Sequence, residues 1–298
     1  MTTDELIYKK LTTTSTLVTA LAKYNTKPAV FADFAATDVD KKWATAKYPH
    51  IVYSVNTKDD PARRISGEIS IDVICDEKTA VGPEIIDGYV RTALNNTFFE
   101  TDDAGTISVR WQKTTPFAQN DEIIGTTIMF DVYAYPKQTL PTSPAAADPV
   151  SGLMTWLKTK LGASAAYYLE GTPQSVDTWT PTSLKPAYYI RYDRKTHNIV
   201  SAAIVKVDSP CIIHVITPTI SDRQSLALQI AEYLAIKGSF TMPNGAPYIL
   251  MNNISVIVNA DPISQGQITV QGFYYANRHD SSGTKVEEVG IRVTKKEE

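Results

Sequence analysis

Two cysteines, Cys75 and Cys211, are too few for a disulfide framework or a cysteine-built zinc cluster. One lies in each half, in or beside a buried-looking apolar strand, so both are expected to be reduced core thiols. Histidine is as scarce. His50, His197, His214 and His279 have no spacing that sets two on one helix face, so no metal is expected. Only 14 glycines occur, with no GxGxxG and no P-loop pattern to cradle a phosphate. No nucleophile turn of the serine-hydrolase kind is present, and the acid pairs Asp59-Asp60, Asp76-Glu77 and Asp102-Asp103 are neighbours in turns, where carboxylates are normally solvated. The expectation is no catalytic residue, no cofactor and no enzymatic activity. His214 sits inside an apolar run, and a buried or interface polar residue is a commoner role there than a general base.

Apolar runs are short of the roughly 20 residues that span a bilayer. Met1-Thr2-Thr3-Asp4-Glu5 lacks the basic and apolar stretches of a signal peptide, so the chain is expected in the cytosol, without a membrane partner. Net charge is −3, with 15 basic and 19 acidic residues in 1–140 against 14 and 13 in the remainder. Neither half carries the basic field that holds phosphates nonspecifically, and sequence-specific nucleic-acid binding is not expected.

What the chain does contain is a weak repetition at an offset of roughly 137 to 144 residues. Tyr48-Pro49-His50-Ile51-Val52-Tyr53 is echoed by Lys185-Pro186-Ala187-Tyr188-Tyr189-Ile190, and Ile71-Asp72-Val73-Ile74-Cys75 by Ile213-His214-Val215-Ile216-Thr217. Ile86, Tyr89 and Val90 match Ile230, Tyr233 and Leu234 at helical spacing, and Val132-Tyr133-Ala134 matches Tyr274-Tyr275-Ala276. Four echoes in the same order point to two similar domains, 1–135 and 150–279. They are joined by a linker, 136–149, whose four prolines stop helix and central strand alike. An extension, 280–298, follows, with Val286, Val289, Ile291 and Val293 in strand-like positions.

The periodicities predict, in the first half, a helix over about 5–22 capped by Asp4, with Thr12-Thr13-Thr14 as its weak point. A short segment at 28–31 follows, then strands at 49–55 and 67–75, a helix from Pro83 to Asn95, and strands near 106–112 and 123–135. The second half repeats this, with helices over 150–161 and after a Ser221-Asp222 cap. The expected fold class is α+β, each domain a mostly antiparallel sheet with helices on one face. Sixteen tyrosines concentrate on the strands. Strand propensity accounts for them, and subunit contacts are the functional alternative.

Residues 4–135 resemble the tail terminator, or tail-completion, proteins of tailed bacteriophages. The resemblance rests on Tyr48-Pro49-His50-Ile51-Val52-Tyr53, the alternating Gly67-Glu68-Ile69-Ser70-Ile71-Asp72-Val73-Ile74-Cys75 and the helix from Pro83 to Asn95. The second half is similar more weakly, with Lys185 in place of the first tyrosine and Ile190 in place of the last, and a tandem arrangement departs from the family's single domain. The resemblance implies a structural virion protein assembled in the host cytoplasm. It would form a ring of six chains, or three chains supplying six domains, that caps the tail tube and joins it to the head connector. Its implied partners are copies of itself, tube or sheath proteins and connector proteins, with DNA passing through the ring unread. The candidate interface residues are Lys58, Asp59, Asp60, Arg63 and Arg64 in the first charged connection, Asp193, Arg194 and Lys195 in the second, and Val289, Ile291 and Val293 in the tail. The competing class is a two-domain binding protein or enzyme with its ligand in the interdomain cleft.

Overall fold

The computed structural model describes residues 1–58, 66–138, 147–170 and 174–277. Helix α1 (Thr3–Thr13) is capped by Thr2 rather than Asp4: the Thr2 hydroxyl accepts from the Glu5 amide at 3.3 Å and the Glu5 carboxylate accepts from the Thr2 amide at 2.9 Å. The expected single helix to residue 22 is in fact two, with α2 at Ser15–Ala20. The threonine run causes the break. The Thr12, Thr13 and Thr14 hydroxyls donate back to the carbonyls of Tyr8, Lys9 and Lys10, and Thr14 adopts an extended conformation. A two-stranded ribbon, β1 (Lys23–Tyr24) and β2 (Lys27–Pro28), leads into β3 (Val30–Ala32).

The first sheet continues with β4 (His50–Thr57), β5 (Gly67–Asp76), helix α3 (Pro83–Leu94), β6 (Thr97–Thr101), β7 (Gly105–Ala118) and β8 (Ile123–Ala134). Its order is β6-β7-β8-β5-β4-β3, antiparallel except for β3 beside β4. Ile69, Ile71, Val73 and Cys75 alternate inward from β5 and meet Leu6, Ile7 and Leu11 of α1 and Ile86, Val90 and Leu94 of α3 in one core. His50 is buried among Phe31, Trp43 and Tyr48, its Nδ1 3.0 Å from the Lys47 carbonyl, and burial depresses its pKa.

The second half opens with α4 (Pro149–Leu161), whose Asp148 carboxylate accepts from the Ser151 amide at 3.1 Å. Pro149 occupies the first helical position, where a missing N–H costs nothing, so the helix begins inside the proline-rich stretch. There follow β9 (Tyr167–Leu169), β10 (Thr178–Trp179), β11 (Ala187–Tyr192), β12 (Thr196–Ile199), β13 (Ile204–Asp208), β14 (Cys211–Ile216), α5 (Ile220–Lys237), β15 (Ser239–Thr241), β16 (Pro247–Val256) and β17 (Ile268–Asn277). Thr219, not Ser221-Asp222, caps α5: its hydroxyl accepts from the Asp222 amide at 3.1 Å.

β13 and β14 keep one register along β17 and act as a single strand interrupted at Pro210. So taken, the second sheet runs β15-β16-β17-β13/β14-β11/β12-β9, again antiparallel except for β9 beside β11. That is the pairing order of the first sheet. Three cross-strand pairs coincide as well: Ile51 opposite Val73, Val52 opposite Asp72 and Tyr53 opposite Ile71 stand where Tyr188 faces Val215, Tyr189 faces His214 and Ile190 faces Ile213. The fourth sequence echo is displaced by two residues. Ile71 faces Ile128 and Ile213 faces Ile268, which puts Val132 level with Gly272 rather than Tyr274.

Strand outweighs helix among the described residues, and the mixed, mostly antiparallel architecture is that of the α+β class; the two cysteines lie in separate sheets, in β5 and β14, on the inward faces. Burial raises the Cys75 thiol to about 11 and the Cys211 thiol to about 12. A thiol-reactive chromogen at pH 8 should therefore label neither in the native protein and both after unfolding in guanidinium. Rapid labelling of either native thiol would contradict the packing described.

Candidate assembly surfaces

Among the expected interface residues, Asp59, Asp60, Arg63, Arg64, Val289, Ile291 and Val293 lie outside the described residues. Lys58 is exposed at the end of β4, its amide donating to the Ser66 carbonyl. Asp193, Arg194 and Lys195 do not form the hairpin connection assigned to them. They are a bulge inside one hairpin arm: three residues face Ser209 and Pro210, so the pairing shifts by one between β11/β14 and β12/β13. Pro210 lacks the N–H that would hold a regular ladder at that point. Asp193 and Arg194 pair with each other at 3.1 Å, while Lys195 sits 4.5 Å from the Tyr192 ring centroid, where desolvation lowers its pKa. The true connection is the uncharged turn Val200–Ala203, in which the Ser201 hydroxyl accepts from the Ala203 and Ile204 amides. Ile199 and Val200 are well exposed at this tip.

The strand tyrosines are spent mainly inside the chain. Tyr53 and Tyr188 belong to the two cores, and Tyr133, Tyr135 and Tyr189 to a third apolar cluster between the halves, with Phe98, Leu169, Trp179, Ile216 and Ile263. The seam is built by β10, which leaves the second half to pair antiparallel with β6 at the edge of the first sheet. Trp179 stacks on Phe98 at 4.3 Å and on Tyr167 at 4.0 Å, and its indole N–H donates to the buried Glu100 carboxylate at 2.8 Å. The second Glu100 oxygen accepts from the Thr106 hydroxyl, also at 2.8 Å. The Tyr189 hydroxyl donates to the Pro136 carbonyl at 2.9 Å, and Gln138 donates to that hydroxyl at the same distance. Burial pushes the Tyr189 phenol up to about 12, so it stays a donor at any working pH. No sequence pattern marked this seam, because a two-residue strand has no alternation to read.

A second bridge comes from the connection between β16 and β17. This segment, 257–267, folds over the outer face of β14. The Pro262 carbonyl accepts from His214 Nδ1 at 2.8 Å, Arg191 Nε donates to His214 Nε2 at 3.1 Å, and Asp261 pairs with Arg110 of the first half. His214 is thus held through both ring nitrogens, between Pro262 and Arg191. Beside it opens an interdomain cleft of about 660 Å³ lined by Asn95, Asn96, Arg110, Trp111, Arg223 and Asp261, among others. Arg223 has a buried Nε without a hydrogen-bond partner among the described residues, and desolvation, followed by nearby Arg110, lowers its pKa.

No protein-family model, curated protein or solved structure matches the chain. Among the described residues no helix is long and apolar enough to cross a membrane, and no group of three or more His, Cys, Asp or Glu residues is arranged to hold a metal ion.

Trp179→Ala removes both stackings and leaves Glu100 buried with one partner fewer, so a loss of about 3–5 kcal/mol is expected in chemical denaturation. The same variant should separate the unfolding of the two halves, giving two transitions where the parent gives one. An unchanged midpoint would show that the seam contributes nothing.

Proposed function

We propose that this chain is a structural subunit of a tailed-phage or related contractile particle, a tandem duplication of a tail-terminator-like unit. It closes into a ring at the end of the tail tube and joins the tube to the head connector. One observation carries this: two sheets with the same strand order, joined in one body by a buried aromatic seam. A chain of that design supplies two near-equivalent building blocks, so three chains supply six, and six chains are the alternative closure. Contacts between copies then fall on the charged bulge Asp193–Lys195, the apolar tip at Ile199 and Val200, the connection around Lys58 to Arg64, and the tail with Val289, Ile291 and Val293. Charge complementarity in such contacts guides register more than it adds affinity. The resemblance around Tyr48–Tyr53 supplies the identity of the tube and connector as partners, and the virion as the destination.

Light scattering on the purified chain should give three or six times its 32.8 kDa mass, and deletion of residues 284–298 should lower that mass while both domains stay folded, as judged by circular dichroism. A chain that stays single at high concentration and does not pellet with purified tail tubes would exclude the ring.

Arg223 in the interdomain cleft, whose buried Nε has no hydrogen-bond partner among the described residues, favours one second reading, a binding protein for a small oxyanion. Calorimetric titration with inorganic phosphate and with citrate separates the two. Saturable binding that Arg223→Gln abolishes would support the ligand cleft, whereas the ring subunit should show none.

A further inference from the structure

The two halves differ where a helix lies over the long outer strand of its sheet. When Ile86 and Val90 are matched to Ile230 and Leu234, all four fully buried, Glu84, Asp87 and Arg91 of α3 take the places of Leu228, Ala231 and Ala235 of α5. The strand registers match Trp111 of β7 with Ile254 of β16 in the same way, since Trp111 faces Phe130 and Ile254 faces Val270. In the first half this groove is closed by its own side chains. Arg91 pairs with Asp87 at 2.7 Å and lies 5.1 Å from the Trp111 ring centroid, the Trp111 indole donates to Thr114 at 3.1 Å, and Thr114 donates to Asp87 at 3.0 Å. In the second half none of these groups exists. A cavity of about 410 Å³ remains, lined by Leu228, Ala231, Ala235, Leu250, Met251 and Ile254, with Glu232 at its rim. Leu228 is 48% exposed and Met251 41%, an apolar pair open to water.

We infer that the groove between α5 and β16 is the receptor for residues 284–294 of a neighbouring copy, whose Val289, Ile291 and Val293 enter it as an added extended segment. The inference rests on the ring reading above and names one of its contacts. Three features select this occupant. Val289, Ile291 and Val293 recur at every second residue, which sets them on one side of an extended chain. Beyond the short pairing of β15 with Ser239–Thr241 opposite Pro247–Ile249, and a single bond from the Leu250 amide to the Gly238 carbonyl, no strand pairs with the outer edge of β16 among the described residues. The chain leaves β17 at Asn277, twelve residues before Val289, a length that spans up to about 40 Å when extended. It leaves at the end of the sheet where β15 already covers β16, so a chain returning to its own groove would have to turn back across β15.

The test is cross-linking of full-length chains, which the two buried native cysteines permit. A chain carrying Leu228→Cys is mixed with one carrying Ile291→Cys and treated with a short bis-maleimide. A species of twice the chain mass is expected, and its yield should fall at least tenfold when the receptor chain also carries Ala231→Asp and Ala235→Arg, which reproduce the first half's polar groove. Absence of that species overturns the inference, as does a chain carrying both cysteines that links only within itself. Light scattering on the unmodified chain is read separately. An assembled chain without the cross-link refutes the groove contact alone, and a chain that neither assembles nor cross-links refutes the ring as well.

Discussion

The insertion of Trp179 into the edge of the first sheet is the contact on which the rest of the molecule depends. Two α+β units joined only by a proline-rich connection would be free to reorient, and every surface shared between them would be transient. The β10–β6 pairing, the stacking of Trp179 between Phe98 and Tyr167, and the buried bond to Glu100 instead commit each half to one position against the other. Glu100 makes the contact selective. A buried carboxylate needs donors, and Trp179 and Thr106 are the two it has among the described residues.

Once the halves are fixed, their differences become positional. Both sheets bury one face under helices, but the second also covers part of the other, at β14, with the segment 257–267. There His214 and Arg191 tie the sheet to Pro262, and Asp261 reaches Arg110. The first sheet's corresponding face keeps Asp72 hydrogen-bonded to Thr127 and carries the half-buried Asp131, whose pKa is raised by desolvation and by Glu68. The helix-strand groove is polar and filled in one half, apolar and open in the other. On the proposed function, such a chain presents alternating surfaces around a ring, which gives a duplicated subunit something that two identical copies lack.

Much of the fold was legible because its signals are local. Alternation of Ile69, Ile71, Val73 and Cys75 marked β5, Pro83 and Asn95 bounded α3, and the cross-strand partners of Ile51–Tyr53 and Tyr188–Ile190 follow the sequence echo residue by residue. What escaped is non-local. The bulge at Asp193–Lys195 reads as a loop because charged residues beside a strand resemble a turn, and the register shift that reveals it exists only in the paired sheet. The seam strand at Thr178–Trp179 is too short to carry a pattern. The Thr219 cap was missed because Ile220 and Ser221 after it obscure which polar residue leaves the helix. For the candidate surfaces, sequence located charge and apolar alternation but not which of them the fold already uses, and so most strand tyrosines proved to be internal.

Electron microscopy of the purified chain tests the central claim most directly. A seam-joined pair of like units should yield closed annular particles whose lobes alternate between two kinds, six lobes with three-fold symmetry if three chains close the ring and twelve with six-fold symmetry if six do. Isolated two-lobed particles at every concentration, with no annulus, would contradict it.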